Sequence, residues 1–192
     1  SDTELNSRSW VNFYSKNTRK LNQPYVNLCI ESIVKYCGES FNVCLIDDNS
    51  FEKLLPRWGV VINDLADPIK TSMRNLAKLK LLKKYGGMVL PSSTIVFKDL
   101  LKLHEAYLSN NDLYCGEFIN KNITCDKIEF FPSLKIIGSK KDGKMISKLV
   151  DKYEQVISKD YTMEKDLLAD IEIELNTLCK KGEINLINGK LI

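Results

Sequence analysis

The chain of 192 residues contains a single histidine, His104. A multi-histidine metal site is thereby excluded. A serine–histidine–aspartate triad would rest on a residue set among Leu101, Leu103 and Glu105, which is the setting of a surface or half-buried helix histidine. The six cysteines, Cys29, Cys37, Cys44, Cys115, Cys125 and Cys179, include no C-x-x-C pair, so neither a zinc knuckle nor a thioredoxin-type redox motif is supported. Cys29, Ile33 and Cys37 fall at helical spacing and Cys44 lies in an apolar run. They read as reduced core thiols rather than a disulfide framework, and a cytosolic setting is the expectation that follows. No run approaches the roughly 20 apolar residues of a membrane span, no signal peptide is visible, and no repeat, low-complexity tract or flexible linker interrupts the chain. The sequence starts without Met and ends on the apolar "INLINGKLI", which reads as a fragment of a longer chain. The sequon Asn122-Ile123-Thr124 would matter only in a secretory pathway and reads as chance.

Strong charge of one sign is also missing. A net charge of +3 and a pI near 8.4 suit an anionic small ligand or a mildly basic face, not the footprint of a dedicated nucleic-acid binder. Trp10, Tyr14 and Arg19 supply aromatics and a cation near the N-terminus, but these are not interleaved into a stacking platform. What is present is the balance of an ordinary globular protein, 44% hydrophobic and 28% charged, and a single domain over 1–192 is expected.

The apolar spacing alternates between helix and strand. Residues 22 to 37 carry Val26, Cys29, Ile30, Ile33 and Val34 as one helical stripe, with Pro24 in the first turn and Gly38 after the end. "FNVCLIDDNS" reads as a buried strand delivering Asp47 and Asp48 to a loop at its C-terminal end, where open α/β sheets keep their ligands. A helical turn is expected at 51 to 55 and a short strand in "GVVIND". Asp67-Pro68 reads as an N-cap followed by Pro at the first helical position. The helix at 69 to 85 places Ile69, Met73, Leu76, Leu79 and Leu82 along one side and Arg74 and Lys78 on other faces. Gly86-Gly87 ends it, and "MVLPSSTIVF" follows as a strand interrupted at Pro91, which cannot donate to a central ladder. A short helix near 99 to 109, strands in "DLYCGEF" and "KIEFFPSLKIIGS", and helices around 142 to 158 and 163 to 180 complete an α/β pattern with a mixed sheet.

The order of an apolar strand ending in Asp-Asp, a helix running into Tyr-Gly-Gly, and a strand resembles the glycosyltransferases of the DXD-containing sugar-transfer group. These are relatives of initiating mannosyltransferases and capsular-polysaccharide synthesis proteins, with glycosyltransferase-like proteins of large DNA viruses among them. The resemblance covers most of residues 8 to 100 and returns weakly in "IIGSKKDGKMISKLV". Its most specific part is "LAKLKLLKKYGGMVL", similar to the family's "LLRYALLYKYGGIYLDLD". It implies a GT-A fold, a Rossmann-like mixed sheet flanked by helices, with a nucleotide-sugar-binding half over 1–100 and an acceptor-side half over 101–192.

In that family two aspartates of the DXD motif hold a divalent Mn or Mg ion on the donor's diphosphate. Aligned on the two glycines, those positions are Pro91 and Ser93 here, and neither replaces a carboxylate. Upstream, an Asp that contacts the nucleotide and an Arg three residues later become Asn75 and Lys78. Asn still offers hydrogen bonds to a ribose, and Lys keeps the charge without the bidentate fork. The resemblance therefore implies a nucleotide-sugar donor, a glycan or protein acceptor, and no metal certain.

Two accounts fit. In one, a hexosyltransferase-like domain binds its donor without metal through Arg74, Lys78 and the groups near Ser92 and Ser93, with Asp47, Asp48 and Asn75 beside them. In the other, a catalytically inactive GT-A pseudoenzyme serves a structural or carbohydrate-binding or protein-binding role, for example in a viral particle, so that the setting is cytoplasmic or virus-associated. Against both stands the simpler reading: Arg74 and Lys78 as a solvated face, and Asp47 and Asp48 as a turn. For an acidic catalyst the residues available are Glu164 and Asp166 in "DYTMEKDLL", where Asp160, Thr162 and these acids also suit a helix start.

Overall fold

The computed structural model describes residues 24–117, 131–158 and 164–191, the first seven residues of the last stretch by backbone alone. Trp10, Tyr14, Arg19, the sequon at 122–124, Cys125, Asp160 and Thr162 lie outside the described residues. The chain forms two compact units, one of residues 1–48 and 91–101, the other of 49–90 and 102–192.

The first unit is built on α1 (Pro24–Cys37). Cys29 and Cys37 are buried on it, as their spacing predicts, while Val26, Ile30 and Ile33 are half-buried and Val34 is exposed. Ser32 ties the second segment of the unit to the helix. Its hydroxyl donates to the Cys29 carbonyl at 2.7 Å and accepts the Val96 amide at 3.0 Å, which seats the buried Val96 side chain. Asp99 accepts from the Ser40 hydroxyl and from the Leu101 amide, the latter at 3.0 Å and at the start of the next helix.

The strand expected in "FNVCLI", delivering Asp47 and Asp48 to a loop, is not formed. Phe41–Asp48 takes part in no strand, and Val43, Leu45 and Ile46 are exposed. An apolar run becomes a buried strand only where neighbouring strands accept its backbone groups. The ladders of the second unit involve other residues.

The second unit is mixed α/β. Its helices are α2 (Ser50–Leu54), α3 (Ile69–Tyr85), α4 (Leu101–Leu108, its first residue in the other unit), α5 (Lys144–Ile157) and α6 (Glu164–Lys180). Among the described residues its strands are β1 (Gly87–Val89), β2 (Leu113–Glu117), β3 (Pro132–Ser139) and β4 (Asn185–Ile187), ordered β1-β3-β2-β4. β3 runs antiparallel to both β1 and β2, and β4 runs parallel to β2. "GVVIND" is a 3-10 turn at Ile62–Asp64 rather than a strand, and it buries Ile62.

Strand alternation divides the core. Leu113, Cys115 and Ile137 face α3, α5 and α6, where Leu76, Leu79, Leu82, Ile146, Leu149, Tyr153, Ile171 and Leu175 are buried. Tyr114 and Ile187 face the other way, against Leu108, Leu103 and Tyr107. The buried residues of α5, Met145, Ile146, Leu149, Val150, Tyr153 and Val156, recur every three or four positions, the stripe an amphipathic helix buries. On α3 the predicted stripe holds at Leu76, Leu79 and Leu82, but Ile69 is exposed at its first turn.

Helix ends carry their own chemistry. α3 begins after Pro68, which follows a cis peptide bond from Asp67. The Asp67 carboxylate accepts from the Thr71 hydroxyl at 2.7 Å and from the Thr71 amide; the hydroxyl contact is the main cause holding this carboxyl below its ordinary pKa. α5 is capped from a distance. Asp112, before β2, accepts the Lys144 amide at 2.5 Å and the Met145 amide at 3.2 Å.

Candidate functional site

The helix-turn-strand unit that carries the resemblance is formed in the second unit. α3 runs to Tyr85, and Gly86 and Gly87 both take left-handed backbone, with φ of 72° and 91°. A Cβ at Gly86 would stand 2.8 Å from the Lys141 amide nitrogen, so here the glycine is required by both conformation and space. β1 then lasts three residues and stops before Pro91, which lacks the amide a ladder would use. Pro91 to Thr94 form a turn in which the Thr94 amide donates to the Pro91 carbonyl at 3.0 Å. Ser92 is half-buried and Ser93 exposed in that turn.

The residues expected at the site are shared between the units. Asp47, exposed, and Asp48, half-buried, belong to the first, as do Ser92 and Ser93; Arg74, Asn75 and Lys78, all half-buried on α3, belong to the second. Each of Asp47, Asp48, Arg74, Lys78 and Ser92 is engaged by other groups of the protein. Asn75 faces the core. Its side chain and that of Ser72 lie towards the buried Tyr153 hydroxyl, which closes no hydrogen bond of good geometry; burial raises the Tyr153 pKa, and Asn75 and Ser72 act against that rise. Glu164 and Asp166 are the first and third residues of α6, and their side chains lie outside the described residues.

At the two positions that the resemblance aligns with the DXD carboxylates stand Pro91 and Ser93, which do not fit a divalent ion as carboxylates would, and the Pro91 carbonyl accepts the Thr94 amide within its turn. Among the described residues no group of three or more His, Cys, Asp or Glu side chains is gathered as a cation site.

A cleft of about 330 Å³ opens elsewhere in the second unit, where the end of α3 and the loop after β3 meet α5. Arg57, Trp58, Lys80, Lys83, Asp142 and Glu154 line it, and none of the residues expected from the resemblance does. Lys80 bridges Glu154 at 2.6 Å and sits 5.7 Å from the centre of the Trp58 ring, while the buried Trp58 indole N–H has no partner. Arg57 and Asp142, the two non-glycine residues with positive φ among those described, both border it. Because Gly87 pairs with Ser139, this is the end of β1 away from Pro91. Cations and acids both line it, so it favours no single sign of charge strongly. Only "PRWG", a bulky aromatic beside turn residues, hints at it in the sequence.

His104 is half-buried on α4. Its Nδ1 lies 2.8 Å from the Tyr114 hydroxyl and its ring packs edge-on against Tyr114 at 5.6 Å. Burial lowers the His104 pKa, opposed by Glu105, and burial raises that of Tyr114. Both groups therefore stay neutral at pH 7, the state suited to a structural hydrogen bond.

Among the described residues no helix is long and apolar enough to cross a membrane. No family model, no curated protein and no solved structure matches the chain.

Proposed function

We propose that the chain is a glycosyltransferase-like domain of the DXD sugar-transfer group that binds a nucleotide-sugar donor without the usual metal. The observation that supports this reading is the run from α3 through the left-handed Gly86-Gly87 pair into β1, which keeps helix, glycine pair and strand in the order on which the resemblance rests. A GT-A-like fold is part of the same proposal. With Pro91 and Ser93 in place of carboxylates, the diphosphate charge falls to cations of the chain, and Arg74 and Lys78 on α3 are the residues assigned to it. Transfer to a glycan or protein acceptor would then depend on electrostatic stabilisation by side chains and backbone amides.

The alternative, a pseudoenzyme of the same lineage, is favoured by one specific feature. Asn75, half-buried, acts on the buried Tyr153 hydroxyl, so the residue assigned to the ribose also serves the protein's own interior.

Calorimetric titration with UDP- and GDP-sugars, with and without Mn²⁺, separates the two. Saturable binding indifferent to metal and weakened at least about tenfold by Lys78→Ala, the scale of losing a charge-assisted contact, supports the donor site. No binding across the panel supports the pseudoenzyme.

A further inference from the structure

The two thiols of Cys115 and Cys179 stand apart from the other described cysteines. Cys115 is fully buried in the middle of β2, flanked by Ile137 of β3 and Leu186 of β4; Cys179 is half-buried in the last turn of α6. Sixty-four positions separate them in sequence, yet their sulfurs are 3.9 Å apart. No acid, histidine or third cysteine joins them as a cation site among the described residues. Cys29, Cys37 and Cys44 belong to the other unit.

We propose that Cys115 and Cys179 form an oxidation site, in which a hydroperoxide converts the thiol pair to a reversible disulfide that ties the central strand β2 to α6. The closing movement is short, since the sulfurs must approach by about 2 Å to reach disulfide bonding distance. The roles of the two cysteines differ. Cys179 is the one that solvent can reach, and the two sulfurs share a hydrogen bond in which either can donate; Cys115 is wholly buried, and burial and that contact together push its thiol up, so the thiolate falls to Cys179. Lys180 and Lys181 follow Cys179 in sequence and place positive charge near the end of α6, against the unfavourable sign of the helix C-terminus for a thiolate.

The Cys179 thiolate attacks one peroxide oxygen. An S–O bond forms, the O–O bond breaks, and the departing oxygen takes a proton to leave as water or an alcohol. The Cys115 sulfur then attacks the Cys179 sulfur of this sulfenic acid; the S–S bond forms, the S–O bond breaks, and the hydroxyl leaves as water with the Cys115 proton. Two thiols lose two electrons and the peroxide gains them. A thiol reductant returns the pair to its starting state.

The test uses the intact chain. The reduced protein is exposed to hydrogen peroxide, its remaining thiols are alkylated, and a non-reducing digest is read by mass spectrometry. One sample is kept native and a second is unfolded in denaturant before oxidation. The expected result is a Cys115–Cys179 cross-linked peptide, lighter by two hydrogen atoms than the sum of its parts. It should dominate the intramolecular products of the native sample, lose that dominance in the unfolded one, and disappear with dithiothreitol. Closing a loop of this length should also raise the thermal midpoint by roughly 5 °C or more, a shift that Cys179→Ser abolishes without touching the buried Cys115. The proposal is overturned if both cysteines remain alkylatable after the exposed Cys44 has been oxidised, or if the same cross-link forms equally well in denaturant.

Discussion

The two units cover their apolar side chains to different extents. In the second unit, apolar residues of β2, β3, α3, α5 and α6 close into one buried cluster, with Leu113, Cys115, Ile146 and Leu175 wholly shielded. In the first, Leu45 is 74% exposed and Phe97 80%, with Val43, Ile46 and Ile95 also exposed. Composition does not explain the difference, since "FNVCLI" is more apolar than "SLKIIG". What differs is whether backbone groups find a ladder. β3 has strands on both sides, whereas Phe41–Asp48 belongs to no strand, and its side chains lack the shared surface that strand pairing creates.

The comparison breaks most sharply in the sheet. Gly138 faces Tyr114 across the β2–β3 ladder, and a Cβ there would lie 2.3 Å from the Tyr114 ring. The ring is fully buried and its hydroxyl is held by His104, so it cannot swing aside. Gly138→Ala should cost about 3 kcal/mol in urea unfolding, at the upper end for overpacking. A loss below about 1 kcal/mol would mean that this face of the sheet is loosely packed. Next comes the distant cap of α5. Asp112→Ala leaves the Lys144 and Met145 amides without their acceptor and should cost about 1–2 kcal/mol, with Asp112→Asn recovering part of it.

Much of this core was legible because helices announce themselves locally. The spacing in "KMISKLVDKYEQVI" marks α5, and "KLKLLKKYGG" marks both the end of α3 and the turn after it. β2 and β3 were visible as apolar runs with turn residues nearby. The misses share a cause. β4 hides in "INLINGKLI" because three residues carry no period, and only the parallel pairing with β2 makes them a strand. "FNVCLI" resembles a strand by apolarity alone, whereas strand formation depends on partners distant in sequence. The Asp112 cap was missed because sequence signals for caps are local, whereas this one lies 32 positions from the amide it serves. At the candidate site, Gly86-Gly87 was legible since a double glycine after a helix states its backbone need. The inward turn of Asn75 was not, because helical spacing alone cannot say that Tyr153 stands opposite it.

The small cluster on the far face of the sheet offers a titration with a single reporter. Tyr114→Phe removes the hydroxyl that pairs with His104 Nδ1 and should cost about 1 kcal/mol. His104 has a folded-state pKa below its ordinary value of 6.5, so in the window between the two the unfolded chain binds a proton that the folded chain does not. Folding stability should therefore fall as pH drops through 6.5 towards the folded pKa, and the loss should be complete below it. With only one histidine in the chain, His104→Gln should flatten this segment of the stability–pH curve. A slope that persists in the variant would assign the effect to other groups.

The smallest expected effect tests the other side of the comparison. Leu45 and Phe97 already lie mostly in water, and Leu45→Ser or Phe97→Ser should change stability by less than about 0.5 kcal/mol. The same substitution at Leu113 or Ile146, wholly buried, should cost several-fold more, because it removes a full side chain's burial and leaves a hydroxyl seeking a partner. Urea unfolding of the four variants measures the contrast directly. Equal losses in both units would show that the apolar run at 41 to 46 is covered in solution, and would restore the buried strand that its composition suggests.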